Sequence, residues 1–370
     1  MTQRIAINCR FSGVAKPTGT HTVGTHLVDG LVRHPERNVT LTLLIEDEFA
    51  RDMEWEKEAG VEIHPIPFGS YGRLRTHLWE QVEANRLAKS LGCAAIHHLM
   101  NTCPRFSGDI PQITTVHDLN FYLHPEWFSR PFRYFLRYSL MPGIRNSASA
   151  VCITKHVRSL VAEHVGIPAS DLLVIYNGLK PLVGREKRRE RSKSILMVNA
   201  WQPHKNLPRV LEAFHSFRHL HPEWELRIAG RKQALFHDDG ADLSNLADQP
   251  GVSILGYISD EELADEYASA GVFCMPSLEE GFGLPVIEAL ASGVPVITSN
   301  LSCLPEVAGP DGILVDPYSV SEIAGALGEA ANLSDPERSA MHQRSLDHIA
   351  QFSWRKSARS YLDLYETFLR

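Results

Sequence analysis

EEGFGLPVIE, residues 279–288, sets two glycines and a proline between carboxylates. VFCMP (272–276) precedes it and reads as a buried strand. PVIEALASG (285–293) follows and reads as a helix. Pro285 suits a first helical turn, where its missing N–H is not needed, and Gly293 supplies the stop. Ser277 to Leu284 is therefore a strand-to-helix loop, with Phe282 expected to be exposed. Open α/β sheets bind ligands at the carboxyl ends of their strands. The first turn of a helix offers unpaired N–H groups and the positive end of the dipole, so a phosphate is its natural guest. Gly281 and Gly283 let the backbone come close to such a guest. Glu280 and Glu288 suit another group, because carboxylates accept hydrogen bonds from hydroxyls and a ribose or hexose offers several. Phosphate and sugar hydroxyls together describe a nucleotide sugar. The bland alternative is a capped helix with a solvated Glu288. A dinucleotide fingerprint fits worse, since the third glycine of G-x-G-x-x-G falls on Val286.

The same alternation runs along the whole chain. RIAIN (4–8), VTLTLLIED (39–47), AAIHHL (94–99), QITTVHD (112–118), ASAVCIT (148–154) and VIYNG (174–178) read as strands of a first half. THTVGTHLVDGLVRH and HLWEQVEANRLAKSLG (77–92) read as helices between them. LKPLVGREKRRERSK (179–193) has linker composition. The pattern restarts with ILMVNA (195–200), LPRVLEAFHSFRHL (207–220) and WELRIAG (224–230). SDEELADEYASAG follows as a helix, with Ser259 and Glu262 in capping-box spacing. PVITS (295–299) and GILVD (312–316) are further strands. Strands alternating with helices predict parallel sheets in two α/β halves. A length of 370 residues suits two cores rather than one. The expected division is 1–180, a linker at 181–194, a second domain at 195–350 and a final helix at 351–370.

A net charge of −7 gives no general affinity for nucleic acid. No run of 18 apolar residues is present, and the N-terminus lacks a charged then apolar leader. Six scattered cysteines without C-x-x-C read as reduced thiols. These features lead to the expectation of a cytoplasmic protein.

EGFGLPVIE resembles the E-x7-E signature of retaining glycosyltransferases with the GT-B fold. Residues 256–317 match that pattern almost end to end, and the wording is similar to bacterial mannosyltransferases of surface-polysaccharide assembly, of the O-antigen and capsule type. TVHDL (115–119), HPEWF (124–128), NG (177–178), HKNL (204–207) and FSW (352–354) agree in order. The resemblance implies two Rossmann-like domains facing across a cleft. The second would hold the nucleotide, the first mostly the acceptor, and the last helix would cross back to the first. It assigns Glu280 to hydroxyls of the transferred sugar and Glu288 to the ribose. The turn Gly281, Phe282, Gly283 and Leu284 goes to sugar and phosphate, and Lys205 to the diphosphate. His117 is placed beside the donor sugar, and Arg231 in IAGRKQ is a second cation. Gly19 fits the family's glycine-rich turn after the first strand, but the arginine of that turn is missing from TGTHTVG. His204 stands where an arginine usually precedes the lysine. Both departures lower the positive charge near the phosphates.

The resemblance implies transfer of a hexose from a nucleotide-diphosphate sugar to a hydroxyl of a growing, lipid-linked glycan. Configuration would be retained, with no metal and no other cofactor. GDP-mannose is the expected donor. Alternatives are a UDP-glucose or UDP-N-acetylglucosamine dependent transferase, and a non-catalytic nucleotide-sugar binding protein. EWFSRPFRYFLRYSLMPGIR (126–145) mixes arginines with aromatics. It reads either as a core helix with a solvated basic face or as a peripheral contact with the cytoplasmic face of the inner membrane.

Overall fold

The structure is a computed structural model that describes residues 4–13, 19–180, 191–230 and 249–369, except the Arg73 side chain. Two compact units emerge. The first joins residues 1–123, 130–178 and 352–370, and the second joins 124–129 with 179–351.

In unit 1, seven strands form a parallel sheet: β1 (Arg4–Asn8), β2 (Thr40–Ile45), β3 (Val61–Pro65), β4 (Ala95–His98), β5 (Gln112–Val116), β6 (Ser149–Cys152) and β7 (Leu173–Val174). Their order is β3-β2-β1-β4-β5-β6-β7. Ile5 of β1 lies opposite Leu41 on one side and Ala95 on the other. The helices are α1 (Gly19–Val32), α2 (Asp47–Asp52), α3 (Phe68–Val82), α4 (Ala84–Ser90), α5 (Asn120–Leu123), α6 (Arg130–Arg145) and α7 (Lys155–Val165). The central strands are buried because both faces are covered, although β4 and β5 carry His97, His98, Gln112, Thr114 and Thr115 there. One face packs Ile5, Ile7, Leu41 and Leu43 against α1, and the other packs Ala6, Leu44 and Ile96 against α3 and α4.

Unit 2 holds a second sheet: β8 (Ser194–Val198), β9 (Glu225–Ala229), β10 (Val252–Gly256), β11 (Val272–Met275), β12 (Val296–Ser299) and β13 (Ile313–Val315), in the order β10-β9-β8-β11-β12-β13. All its pairings are parallel. The helices are α8 (Leu207–Leu220), α9 (Asp260–Ser269), α10 (Leu284–Ala291), α11 (Leu304–Ala308), α12 (Val320–Ala331) and α13 (Asp335–Ile349). α8 buries Leu207, Val210, Leu211, Phe214 and Phe217, one stripe at helical spacing. Ser259 and Glu262 form the expected capping box, each capping the other's backbone N–H, at 3.2 and 2.7 Å.

The last helix, α14 (Trp354–Thr367), belongs to unit 1. It buries Ala358, Tyr361, Leu362 and Tyr365 beside α1. Sealing Leu362 alone contributes about 2 kcal/mol. Its tyrosine hydroxyls would be costly inside a core without partners. Tyr365 reaches His97 Nδ1 at 2.6 Å, and Tyr361 reaches Thr115 at 2.9 Å. A Cβ on Gly178 would sit 2.2 Å from the Trp354 nitrogen, so only glycine fits where α14 starts.

Several elements differ from the sequence reading. The helix expected at 77–92 is two, broken at Glu83 and begun earlier, at Phe68. Of VIYNG only Val174 is in a strand, the short β7, which begins at Leu173. β3 and β10 were not expected, and both are edge strands with half-exposed side chains. All six cysteines are unpaired and buried. Among the described residues no helix is long and apolar enough to cross a membrane.

Candidate functional site

The sheet of unit 2 reverses its winding beside β8. The chain runs outward from β8 to β9 and β10, then returns to lay β11 on the other side of β8. The carboxyl ends of β8 and β11 thus border a switch point, where open α/β sheets hold their ligands. Lys205 lies in the loop after β8 and Glu280 in the loop after β11. Both are buried, and Lys205 Nζ donates to Glu280 Oε1 at 2.5 Å. Burial, the strongest influence on Glu280, favours its neutral acid. Lys205, by its charge and its hydrogen bond, outweighs burial and holds the carboxyl below its ordinary value. The charged pair therefore persists in a place that would reject either ion alone.

Backbone ties fix both loops. Asn206, at φ +65°, donates its side-chain amide to the carbonyls of Pro276 and Pro317 at 3.1 and 2.6 Å. The Leu278 amide donates to the His204 carbonyl at 2.7 Å, and the Cys303 thiol donates to the Glu280 carbonyl at 3.2 Å. His204 is buried, and burial is the first cause that lowers its pKa to about 4. It adds no charge where an arginine was the family expectation. Its ring lies 5.6 Å from Trp127, which stacks on His124 at 3.9 Å. All three belong to unit 2, although residues 124–129 arrive from between α5 and α6.

Gly283 opens α10 in the left-handed region, φ +86°, with Pro285 in the first turn. A Cβ there would meet Leu304 Cδ2 at 2.9 Å. Pro285 has no N–H and the Val286 amide donates to the Gly283 carbonyl at 2.9 Å, so the Gly283 and Leu284 amides are the ones at this helix start that an anion could use. Gly281 and Leu284 are half-buried, but Phe282 is buried, contrary to expectation. Glu288 sits one turn into α10, partly buried, and accepts from the Tyr267 hydroxyl at 2.9 Å. Burial raises its pKa to about 7, against the opposing influence of Tyr267 and Lys180.

His117 and Gly19 lie in unit 1. His117 follows β5 and is buried. Its Nε2–H donates to the Leu99 carbonyl at 2.6 Å, and burial lowers its pKa to about 4, so the ring is neutral. Asp118 caps the next turn by accepting from the Asn120 amide at 2.9 Å. Gly19 is the first residue of α1, with open space around it. Arg231 lies outside the described residues. Unit 1 has a switch point of its own, between β1 and β4. There the fully buried Glu80 carboxylate accepts from Asn8 at 2.9 Å and pairs with Arg10 at 3.5 Å. Burial opposes ionisation most strongly, but Arg10 and His98 prevail and hold Glu80 at about 2. Sequence reasoning did not single out Asn206, Tyr267, Trp127 or the Glu80–Arg10 pair. Only the asparagine in HKNL carried a signal, as a turn former.

Residues 183–346 match the family model described as glycosyl transferases group 1, and residues 17–181 match glycosyltransferase family 4. The chain is 27% identical over 268 residues to O-antigen chain mannosyltransferase B of Escherichia coli, covering 69% of this chain and 70% of that protein. It is 32% identical over 225 residues to D-inositol 3-phosphate glycosyltransferase of Corynebacterium kroppenstedtii, covering 56% of this chain and 49% of that one. The chain thus spans about half the length of the second relative. The crystal structure of Anabaena Alr3699/HepE in complex with UDP and glucose superposes with a TM-score of 0.70 at 16% identity, covering 99% of this chain and 100% of that one.

Proposed function

The chain is a glycosyltransferase of the GT-B fold, and we propose that it moves mannose from GDP-mannose, with retained configuration, to a hydroxyl of a growing lipid-linked glycan at the cytoplasmic face of the membrane. The observation that carries this reading is the buried Lys205–Glu280 pair at the switch point, next to the glycine-opened N-terminus of α10. A diphosphate leaving group needs fixed positive charge, and preorganised charge in a buried site is the largest single aid to such a step. Lys205 and the first amides of α10 meet the diphosphate, without a metal ion in the scheme. Glu280, freed from Lys205, accepts from hydroxyls of the sugar, and Glu288 accepts from the ribose. His117 is assigned to a sugar hydroxyl, because a neutral ring compensates no phosphate charge. The bond from the anomeric carbon to the phosphate oxygen breaks, and the acceptor oxygen bonds that carbon on the same face. The acceptor proton passes to the departing phosphate. The O-antigen mannosyltransferase relative supports mannose and a glycan acceptor.

A second reading follows from the D-inositol 3-phosphate glycosyltransferase relative: a small phosphorylated polyol as acceptor. One assay addresses both readings. Nucleotide release is measured with GDP-mannose, UDP-glucose and UDP-N-acetylglucosamine, each with lipid-linked glycan or inositol phosphate. The proposal expects release with GDP-mannose and glycan, cut at least about 100-fold in Glu280→Ala. Release only with a UDP sugar, or full activity in Glu280→Ala, contradicts it.

A further inference from the structure

Unit 1 turns several large apolar side chains outward on adjoining elements. Leu74, Leu78 and Val82 recur along one stripe of α3, Tyr134 and Tyr138 stand one turn apart on α6, and Phe106 tips the loop before β5. Each is between 51 and 74% exposed. Single exposed apolar residues are ordinary, but a group of them on neighbouring elements marks a contact surface.

The three elements touch. The His77 ring of α3 lies 4.5 Å from Phe135 of α6. Gln81 of α3 donates to the Cys103 carbonyl at 2.7 Å and accepts from the Arg105 amide at 3.0 Å. The Arg105 guanidinium then lies over Tyr138 at 4.4 Å and over Phe106 at 5.5 Å. The apolar residues of α3 and α6 thus flank one loop.

Charge identifies the occupant. α6 carries Arg130, Arg133, Arg137 and Arg145 and no acid, in a chain of net charge −7. Arg75 of α3 lies over Tyr71 at 4.1 Å, and Arg133 lies over Tyr134 at 5.1 Å. Of the nearby acids, Glu80 is buried with Arg10, Asp109 pairs with Lys89, and Glu83 stands at the end of the α3 stripe. Tyrosines and arginines around an apolar stripe match the boundary of a bilayer with anionic headgroups. A second copy of the chain fits poorly, because a two-fold contact would set these arginines against each other.

We infer that the face formed by Leu74, Leu78, Val82, Phe106, Tyr134 and Tyr138 docks on an anionic phospholipid surface. The inference deepens the reading above, since a lipid-linked acceptor gives the contact its use. It enlarges the contact expected from residues 126–145 to include α3 and the Phe106 loop.

The test is co-sedimentation of the full chain with phosphatidylcholine vesicles, with and without phosphatidylglycerol. Two variants are compared, Leu78→Ser/Tyr134→Ser and Arg133→Glu/Arg137→Glu. The expected result is binding to anionic vesicles at low salt that falls at least about tenfold in each variant, in high salt and on neutral vesicles. Unchanged thermal melting shows that the exposed substitutions leave the fold intact. Absence of wild-type binding at low salt, or equal binding by both variants, overturns the inference. So does a concentration-dependent dimer that the variants abolish. Transfer to a detergent-solubilised acceptor, measured in parallel, separates the two claims. Vesicle binding without transfer sinks the functional reading, and transfer without vesicle binding sinks this surface.

Discussion

Removing Lys205 strands a carboxylate inside unit 2. The pair is 2.5 Å apart with side chains only 7 and 11% exposed. At an effective dielectric of about 20 that separation gives an attraction of about 7 kcal/mol. Desolvating each ion costs several kcal/mol, so the intact pair contributes little net stability. Taking away one partner is different, because the other stays buried and unpaired, at about 3–5 kcal/mol. Lys205→Ala and Glu280→Gln should each lose stability on that scale. Lys205→Ala/Glu280→Gln should recover most of it, costing less than either single variant and far less than their sum. The assay is urea unfolding followed by hydrogen exchange at amides of β8 and β11, which reports on unit 2 itself. The pH dependence has a definite sign. Glu280 is depressed in the wild type, so the pair's contribution holds above the ordinary carboxylate range and fades as pH falls through the folded value. In Lys205→Ala the carboxyl rises, and the penalty shrinks toward acid pH. Single variants within about 0.5 kcal/mol of wild type, or a double variant equal to the sum of the singles, would refute the reasoning.

Further outcomes follow from the other groups. Burial raises Glu288 to about 7, and its carboxylate accepts from a hydroxyl more strongly than its neutral acid does, so GDP-mannose affinity should tighten by up to about tenfold per unit as pH rises toward 7 and level off above. Calorimetry should show that slope vanish in Glu288→Gln. The same raised pKa means that the folded chain holds a proton that the unfolded chain has lost between about pH 4.5 and 7, so this group lowers stability as pH rises across that window. Glu80 acts with opposite sign. Its carboxyl sits at about 2 rather than 4.5, so about 3 kcal/mol present above pH 4.5 is lost as pH falls toward 2, and Glu80→Gln should flatten that acid limb in hydrogen exchange at β1 and β4. Gly283→Ala puts a Cβ 2.9 Å from Leu304 in the left-handed region and should cost about 1–2 kcal/mol, with nucleotide affinity reduced about tenfold in calorimetry. Unchanged affinity would place the nucleotide away from this turn.

The parts of the fold legible in sequence are those whose burial is lopsided. α8 shows an apolar stripe, and α9 carries a capping box that local hydrogen bonds alone can form. β11 is apolar throughout and β8 is apolar after Ser194, the pattern of strands covered on both faces. β3 and β10 were missed because edge strands keep half their surface in solvent, so VEIHP and VSILG show neither a continuous apolar run nor clean alternation. The break at Glu83 is invisible because the apolar spacing runs on through Ala84 and Ala88. The site divides in the same way. Gly283, Pro285 and Glu288 announce themselves within ten residues. Lys205 and Glu280 were each named, but 75 residues separate them, and only the strand order makes them an ion pair. Trp127 could not be placed, because its segment lies with unit 2 while its flanking helices lie with unit 1.

The most direct measurement is a crystal structure with GDP bound. The account predicts the diphosphate within about 3 Å of Lys205 Nζ and of the first amides of α10, with Glu280 released from the lysine and the ribose on Glu288. A diphosphate bound elsewhere, with Lys205 still held by Glu280, would contradict it.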